Sequence, residues 1–285
     1  MAVALTVPAA CAAPQAQGPA FSGGELTDAE RIELERAEEV LTQRCMARHG
    51  FPYWPAPPLS AEERRSIGYV LTDVAWARIH GYGGRIERKL LAAKKTNRNI
   101  AYRNSLIAPQ RTRYDAALRG GRDVKPLSAT LPAGGRITSM LGGCGAEAQE
   151  GLYGDREEWF RLDKTATNLL PLYVPDLVKD PRFSAAQQAW ARCMSRKGHP
   201  YTEPPEVRAT LPRLTRGLSS EKSHSLEVEL AVTEATCART SSLADTARSL
   251  QAHYRERAGR PYARDLAEHR RLERAALDRA RRITR

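Results

Sequence analysis

The sequence predicts an all-α protein, an irregular helical bundle with two related helix-plus-cysteine halves and Pro/Gly-rich connections. Three observations carry that prediction. The stretch Cys45-Met46-Ala47-Arg48-His49-Gly50-Phe51-Pro52-Tyr53 returns without a gap as Cys193-Met194-Ser195-Arg196-Lys197-Gly198-His199-Pro200-Tyr201. In both copies an amphipathic run leads into the cysteine, the glycine suits the left-handed position after a helix, and the proline bars further helix. Aromatic residues make up only 6% of the chain, while Ala, Leu, Arg and Glu are abundant, a balance that favours helix over sheet.

Residues 1–26 are expected to be a disordered leader or a degenerate export signal. The first twenty are rich in Ala and Pro and hold no charged side chain, so the basic start usual in an export signal is missing. Cys11 is the candidate for lipid attachment in an exported chain, with Pro8 departing from the usual Leu-led pattern before it.

The first helical half is expected over 27–156. Thr27 and Glu30 have capping-box spacing. They open a helix from Asp28 to Arg48 with Leu34, Ala37, Leu41 and Cys45 on one face. His49-Gly50 ends it, and the prolines between Phe51 and Leu59 predict an extended tether. Ser60 and Glu63 repeat the capping-box spacing before a short helix, Thr72-Asp73 caps another running to His80, and Gly81 to Gly84 breaks the chain. Residues 85–125 form a basic insertion with twelve Lys or Arg against three acids. Within it Asn97, Asn99 and Asn104 weaken the helix, and Pro109 starts a new one that Gly120 stops. The Gly and Pro of residues 121–142 predict a loop, and Cys144 begins a short helix to Tyr153.

The second half, 157–285, is expected to end in long Arg-rich helices. A pattern opened by Asp155 runs through Trp159, Leu162, Leu169 and Leu170 and is broken at Pro171 and Pro175. Asp180-Pro181 starts the helix bearing Trp190 and Cys193. After a second Pro-rich exit, a helix from about Ser223 sets Leu226, Leu230 and Cys237 on one side. Leu243 to Ile283 is helical in composition, interrupted at Gly259-Arg260-Pro261. No stretch has the length and apolarity of a transmembrane span.

Four body cysteines allow three pairings. The economical one joins Cys45 to Cys144 and Cys193 to Cys237, one staple per half; the alternative is four buried thiols in a cytoplasmic bundle. No CxxC is present, which argues against thioredoxin chemistry and zinc ribbons. Cys45 and His49 have the four-residue spacing of two ligands on a helix, but the second copy has Lys197 in place of His49, and a site using both repeat cysteines with His199 is a weaker combination. No metal or cofactor site is therefore expected. Arg48, Tyr53, Arg196 and Tyr201, repeated in register, are the ligand-binding candidates; their bland reading is that the arginines meet the last helix carbonyls and the tyrosines anchor the Pro-rich strands. No GxSxG, HExxH, Walker or Rossmann motif occurs, and no catalytic residue is assigned.

Several further motifs accompany the two Cys-Met-x-x-x-Gly units. They are Gly68-Tyr69-Val70-Leu71-Thr72-Asp73 with Gly81-Tyr82-Gly83, Tyr114 to Leu118 before Gly120, Gly143-Cys144 with Glu147-Ala148, and Leu152-Tyr153-Gly154. Asp180-Pro181, Trp190 leading to Cys193, and Glu229 to Cys237 follow. On these residues, covering most of 30–255, the chain resembles a family of actinobacterial secreted proteins and lipoproteins of uncharacterised function. The resemblance implies export and two disulfides, and it supplies no catalytic residue.

A net charge of +12 implies attraction to polyanions. The expected function is therefore that of a non-enzymatic extracytoplasmic protein, secreted or cell-surface associated, which binds or organises an anionic cell-envelope component. Its partners would be an envelope polymer, a membrane surface or another secreted protein. The basic patch Arg85, Arg88, Lys89, Lys94 and Lys95 is the first candidate contact. The alternatives are a nucleic-acid-binding protein using 85–125, although no helix-turn-helix, RRM or zinc module accompanies the charge, and an enzyme whose site leaves no local motif.

Overall fold

The capping signals decide where the first elements lie. In the computed structural model, which describes residues 25–285, helix α1 spans Asp28–Arg48. The expected leader up to residue 24, with Cys11, lies outside the described residues. The capping box forms as its spacing predicts: the Thr27 N–H donates to Glu30 Oε2 at 2.8 Å, and the Glu30 N–H donates to Thr27 Oγ1 at 3.3 Å. At the other end Gly50 takes φ +78°, its N–H donates to the Ala47 carbonyl, and the Phe51 N–H donates to the Met46 carbonyl, both at 3.0 Å. These two bonds make a Schellman cap.

The chain continues through α2 (Val74–His80), α3 (Gly84–Lys95), α4 (Arg98–Ser105) and α5 (Ala108–Arg119). A hairpin of β1 (Leu127–Thr130) and β2 (Arg136–Ser139) follows, then α6 (Gly143–Tyr153), α7 (Arg156–Thr167) and α8 (Leu170–Lys179). The second repeat ends α9 (Pro181–Arg196). Its Schellman cap is the same, with Gly198 at φ +85°, the Gly198 N–H on Ser195 and the His199 N–H on Met194, both at 3.0 Å. Helices α10 (Pro204–Leu214), α11 (Ser220–Thr240), α12 (Leu243–Gly259) and α13 (Ala263–Ile283) complete the fold, a 3-10 turn at Arg260–Tyr262 separating the last two. The all-α expectation holds, with one small antiparallel ribbon added.

Several local expectations are corrected. Residues 127–139, expected as loop, form the hairpin in the register Leu127↔Ser139 to Thr130↔Arg136. Gly134 and Gly135, both at positive φ, turn the chain, while Leu127 and Ala129 are buried and β1 packs on α7. Strands of four residues are too short for alternation to stand out in sequence. The Ser60–Glu63 box closes a single turn and no helix follows. Asn97 does not weaken a helix but starts one: its side chain accepts from the Asn99 and Ile100 N–H groups as the N-cap of α4. Pro171 begins α8 rather than breaking a helix, and Pro204 opens α10, which the Pro-rich composition hid.

Two disulfides join the elements: Cys45–Cys144 ties the end of α1 to the start of α6, and Cys193–Cys237 ties the end of α9 to α11. The economical pairing is the one observed. The close approach at the first of these needs a glycine. Gly143 sits at φ +56°, and a Cβ there would lie 2.4 Å from the Ala117 carbonyl oxygen of α5.

The halves exchange elements. Val70 joins the main apolar cluster of the second half with Phe183, Trp190, Leu230 and Leu243, and α2 packs on α11. In return α13 lies against α1, α6 and α7, burying Ala276, Leu277 and Ala280 with Leu34, Ala37 and Leu152. The covalent staples are local to each copy, while the apolar packing crosses between them.

The disulfides close chain separations of 99 and 44 residues. Replacing Cys45 and Cys144 by Ala should lower the unfolding free energy more than replacing Cys193 and Cys237. The chain-entropy relation gives about 4.7 against about 4.0 kcal/mol at 25 °C. Urea unfolding of the two double variants measures both the size and the order.

Candidate functional site

The basic insertion becomes three helices on the outside of the fold. Helix α3 contains no buried residue. Arg85, Arg88, Lys89, Lys94 and Lys95 are all exposed on it, and of these only Lys89 has an ion-pair partner among the described residues, Glu63 at 2.5 Å. Leu91, 49% exposed, stands among Arg88, Lys94 and Lys95 at three- and four-residue steps. The outward face is therefore cationic with an apolar side chain at its centre.

What holds so exposed a helix in place is a pair of buried carboxylates on α11. Glu227 accepts from the Tyr82 and Gly84 N–H groups at 2.8 Å each, at the positive end of α3. Two turns further along the same face, Glu234 is fully buried and accepts from the Leu71 N–H (2.8 Å), the Tyr82 hydroxyl (2.6 Å) and Arg208 (3.2 Å). Burial pushes the Glu234 carboxyl above the ordinary range, against the opposing pull of these donors. Burial, followed by the neighbouring Glu234, likewise pushes the Tyr82 hydroxyl far up. Neither carboxylate was singled out from the sequence. The available signal was two glutamates seven apart on the same helical face as Leu230 and Cys237.

Helices α4 and α5 meet the first repeat. The Asn99 side chain clasps the Trp54 backbone, accepting from its N–H at 2.9 Å and donating to its carbonyl at 2.8 Å. Arg98 lies 4.6 Å over the Trp54 ring. Edge-on contacts continue from Trp54 to Tyr102 (5.7 Å), Tyr102 to Tyr114 (5.7 Å) and Tyr114 to Phe51 (5.4 Å). The fork of Arg103 on Asp115, at 2.6 and 2.5 Å, ties α4 to α5. That hydrogen bonding holds the Asp115 carboxyl below the ordinary range. Between these elements and the end of α1 lies an open cleft of about 670 Å³, bordered by His49, Phe51, Tyr102, Gln110 and Arg113. It offers one cation, neutral donors and aromatic walls, the chemistry for an anionic group on a partly apolar body.

Three of the four repeated ligand candidates are held within their own copies. Arg48 pairs with Glu147, and the Tyr53 hydroxyl donates to Glu39 at 3.2 Å. Tyr201 bonds Thr210 at 3.0 Å, and Arg196 is exposed at the end of α9. The two copies belong to separate apolar clusters, so each tyrosine braces its own Pro-rich exit. Of the predicted residues, those of the first repeat meet α4 and α5, whereas the basic patch lies on α3, which packs on α2 and α11. Elsewhere His269 joins α7 and α13, 3.5 Å from Glu273 and 3.9 Å from Asp163, under the stacked Tyr153 and Trp159 rings.

No known protein family, curated protein or solved structure matches the chain. Among the described residues no helix is long and apolar enough to cross a membrane.

Truncating Glu234→Ala strands the Leu71 N–H and the Tyr82 hydroxyl together and leaves Arg208 with the Tyr69 carbonyl but no counter-charge. Losing one partner of a buried charge network costs roughly 3–5 kcal/mol, so chemical denaturation should show a loss in that range, and amide exchange in α2 and α3 should accelerate. The Asp115 link has a definite pH dependence. Its folded-state value lies below its unfolded one, so its contribution is complete above about pH 4 and fades as the pH falls through the folded value. Hydrogen-exchange protection of α4 and α5, taken relative to the intrinsic exchange rate at each pH, should therefore fall on acidification, and Asp115→Asn should show the lower protection already at neutral pH.

Proposed function

We propose that this protein is a non-enzymatic, extracytoplasmic scaffold that binds an anionic polymer of the cell envelope through the basic face of α3 and its neighbours. The observation that carries this reading is the cationic face itself. Arg85, Arg88, Lys94 and Lys95 are exposed with no carboxylate within ion-pair distance among the described residues, and Arg113, on α5 of the same insertion, borders the cleft beside the first repeat. Desolvated ion pairs within a protein spend their charge on each other; these four keep theirs for a partner.

Two lines support the setting. The cystines are at home in an oxidising compartment, and a cystine-stapled scaffold keeps a thinly packed helix such as α3 on a firm base. The nucleic-acid alternative draws on the same cations, so the two readings part on the partner's chemistry. Aromatic side chains near the cleft are packed against one another in edge contacts, and no groove-reading module accompanies them.

Purified poly(glycerol phosphate) should bind the protein with an affinity that falls as salt rises. Each cation facing an anionic surface contributes about 1 kcal/mol, so neutralising Arg85, Arg88, Lys94 and Lys95 to Gln should weaken binding by roughly a thousandfold. Isothermal titration across a salt series measures this. Equal or tighter binding of duplex DNA or single-stranded RNA would favour the alternative, and an unchanged affinity in the four-site variant would end the proposal.

A further inference from the structure

The two copies of the repeat differ in what surrounds their cystines. In the first, the His49 imidazole belongs to a cluster in which its nitrogen and the Cys45 and Cys144 sulfurs all lie within 4.8 Å of one another. Glu147 Oε2 sits 3.2 Å from Cys45 Sγ. In the second copy the corresponding side chains are Lys197, in place of His49, and Thr240, whose hydroxyl lies 3.7 Å from Cys193 Sγ. Glu147 and Thr240 each stand three residues after the second cysteine of their copy. The backbone architecture is thus shared, but only the first copy surrounds its sulfurs with metal-ligating groups.

Glu147 has an unusual position in the oxidised state. A disulfide sulfur carries no proton, so the carboxylate oxygen against Cys45 gains no hydrogen bond there, and Arg48 holds the other oxygen. Reduction changes that chemistry. Two thiols and an imidazole then stand together, supplied by helix ends that the Schellman cap and the Gly143 contact already fix, with the Glu147 carboxylate beside Cys45.

We propose that reduction of the Cys45–Cys144 disulfide converts this helix junction into a zinc-binding site formed by the two cysteine thiolates and His49, with Glu147 as the fourth ligand. The balance is simple. A dithiol reductant gives two electrons and two protons to the S–S bond and is itself oxidised to a disulfide. Zinc then displaces the two thiol protons into solvent, and neither the metal nor the imidazole changes oxidation state. Tetrahedral zinc with sulfur at about 2.3 Å and nitrogen or oxygen at about 2.0–2.2 Å has ligand-to-ligand edges of about 3.3–3.8 Å. The sulfurs need only part from their covalent contact, His49 needs only a small inward shift, and Glu147, already 3.2 Å from Cys45 Sγ, must turn from Arg48 to complete the tetrahedron. Both His49 and Glu147 are exposed, whereas the sulfurs are buried, so entry is through the last turn of α1, where helix ends open most readily. The second copy, with an ammonium and a hydroxyl, is reduced to a bare dithiol.

Cobalt(II) titration of the full chain tests this, because thiolate-to-cobalt charge transfer reports sulfur ligation directly and zinc then displaces the colour. The oxidised protein should take up none; the reduced protein should bind one equivalent. His49→Lys with Glu147→Thr, which gives the first copy the second copy's residues, should weaken binding by more than the roughly 100-fold that loss of a mere supporting group costs. The reverse graft, Lys197→His with Thr240→Glu, should raise the stoichiometry to two. Circular dichroism follows the helices throughout. Reduced protein that binds no cobalt, binding that survives the His49 and Glu147 replacements, or unfolding on reduction that metal does not reverse would each overturn the proposal. None of these outcomes touches the polymer-binding reading, which rests on the oxidised protein and the α3 cations Arg85, Arg88, Lys94 and Lys95, none of them a zinc ligand here.

Discussion

The left-handed glycine at the end of α1 and of α9 is the constraint from which the rest of the architecture follows. A helix closed by a Schellman cap cannot drift in phase at its last turn, so its cysteine, one position before the C3 carbonyl of the cap, points in a determined direction. In each copy that direction meets a second cysteine on another helix, and the following Pro-rich segment is turned back along the helix it has just left. Gln43 donates to the Tyr53 carbonyl, and Ala56 donates its N–H to Glu39; in the second copy Gln187, at the position equivalent to Glu39, donates to the Thr202 carbonyl and accepts from the Tyr69 hydroxyl. A backbone device thus sets the covalent chemistry and the path of the chain after it.

Covalent and non-covalent links divide the work. The cystines act within a copy, whereas buried apolar surface and the carboxylates of α11 act between the halves. Glu227 and Glu234 are placed where the segment from Gly68 to Gly84 leaves backbone N–H groups to satisfy, and a buried peptide donor without a partner is costly. Their location also explains how α3 stays ordered with no buried residue of its own. It is held at its N-terminus by an acceptor from another helix, and apart from the Lys89–Glu63 pair the cations of its outer surface have no structural duty. Charge that contributes little to the fold is available for a partner.

Repetition with divergence runs through the same geometry. The register of cysteine, methionine, arginine, glycine, proline and tyrosine is retained where backbone and packing require it. The side chains beside the sulfurs differ, His49 and Glu147 in one copy, Lys197 and Thr240 in the other. Positions that shape the helix end are shared; positions that would meet solvent or a ligand are those that vary between the copies.

From the amino-acid sequence alone come the helix boundaries at α1, α2, α9 and α12, the cysteine pairing, the left-handed glycines and the basic character of the insertion. These depend on interactions between residues a few positions apart, or on a pattern the chain itself repeats. The hairpin at 127–139, the helix opened by Pro204, the capping role of Asn97 and the buried carboxylates were not legible in the same way. A four-residue strand exists only because a partner strand and α7 accept it, and a glutamate on an apolar face is unremarkable until a distant backbone N–H is brought to it. The crossing of the halves, with α2 on α11 and α13 on α1, was likewise decided by tertiary packing, because the apolar stripes say that a face must be buried without saying against what.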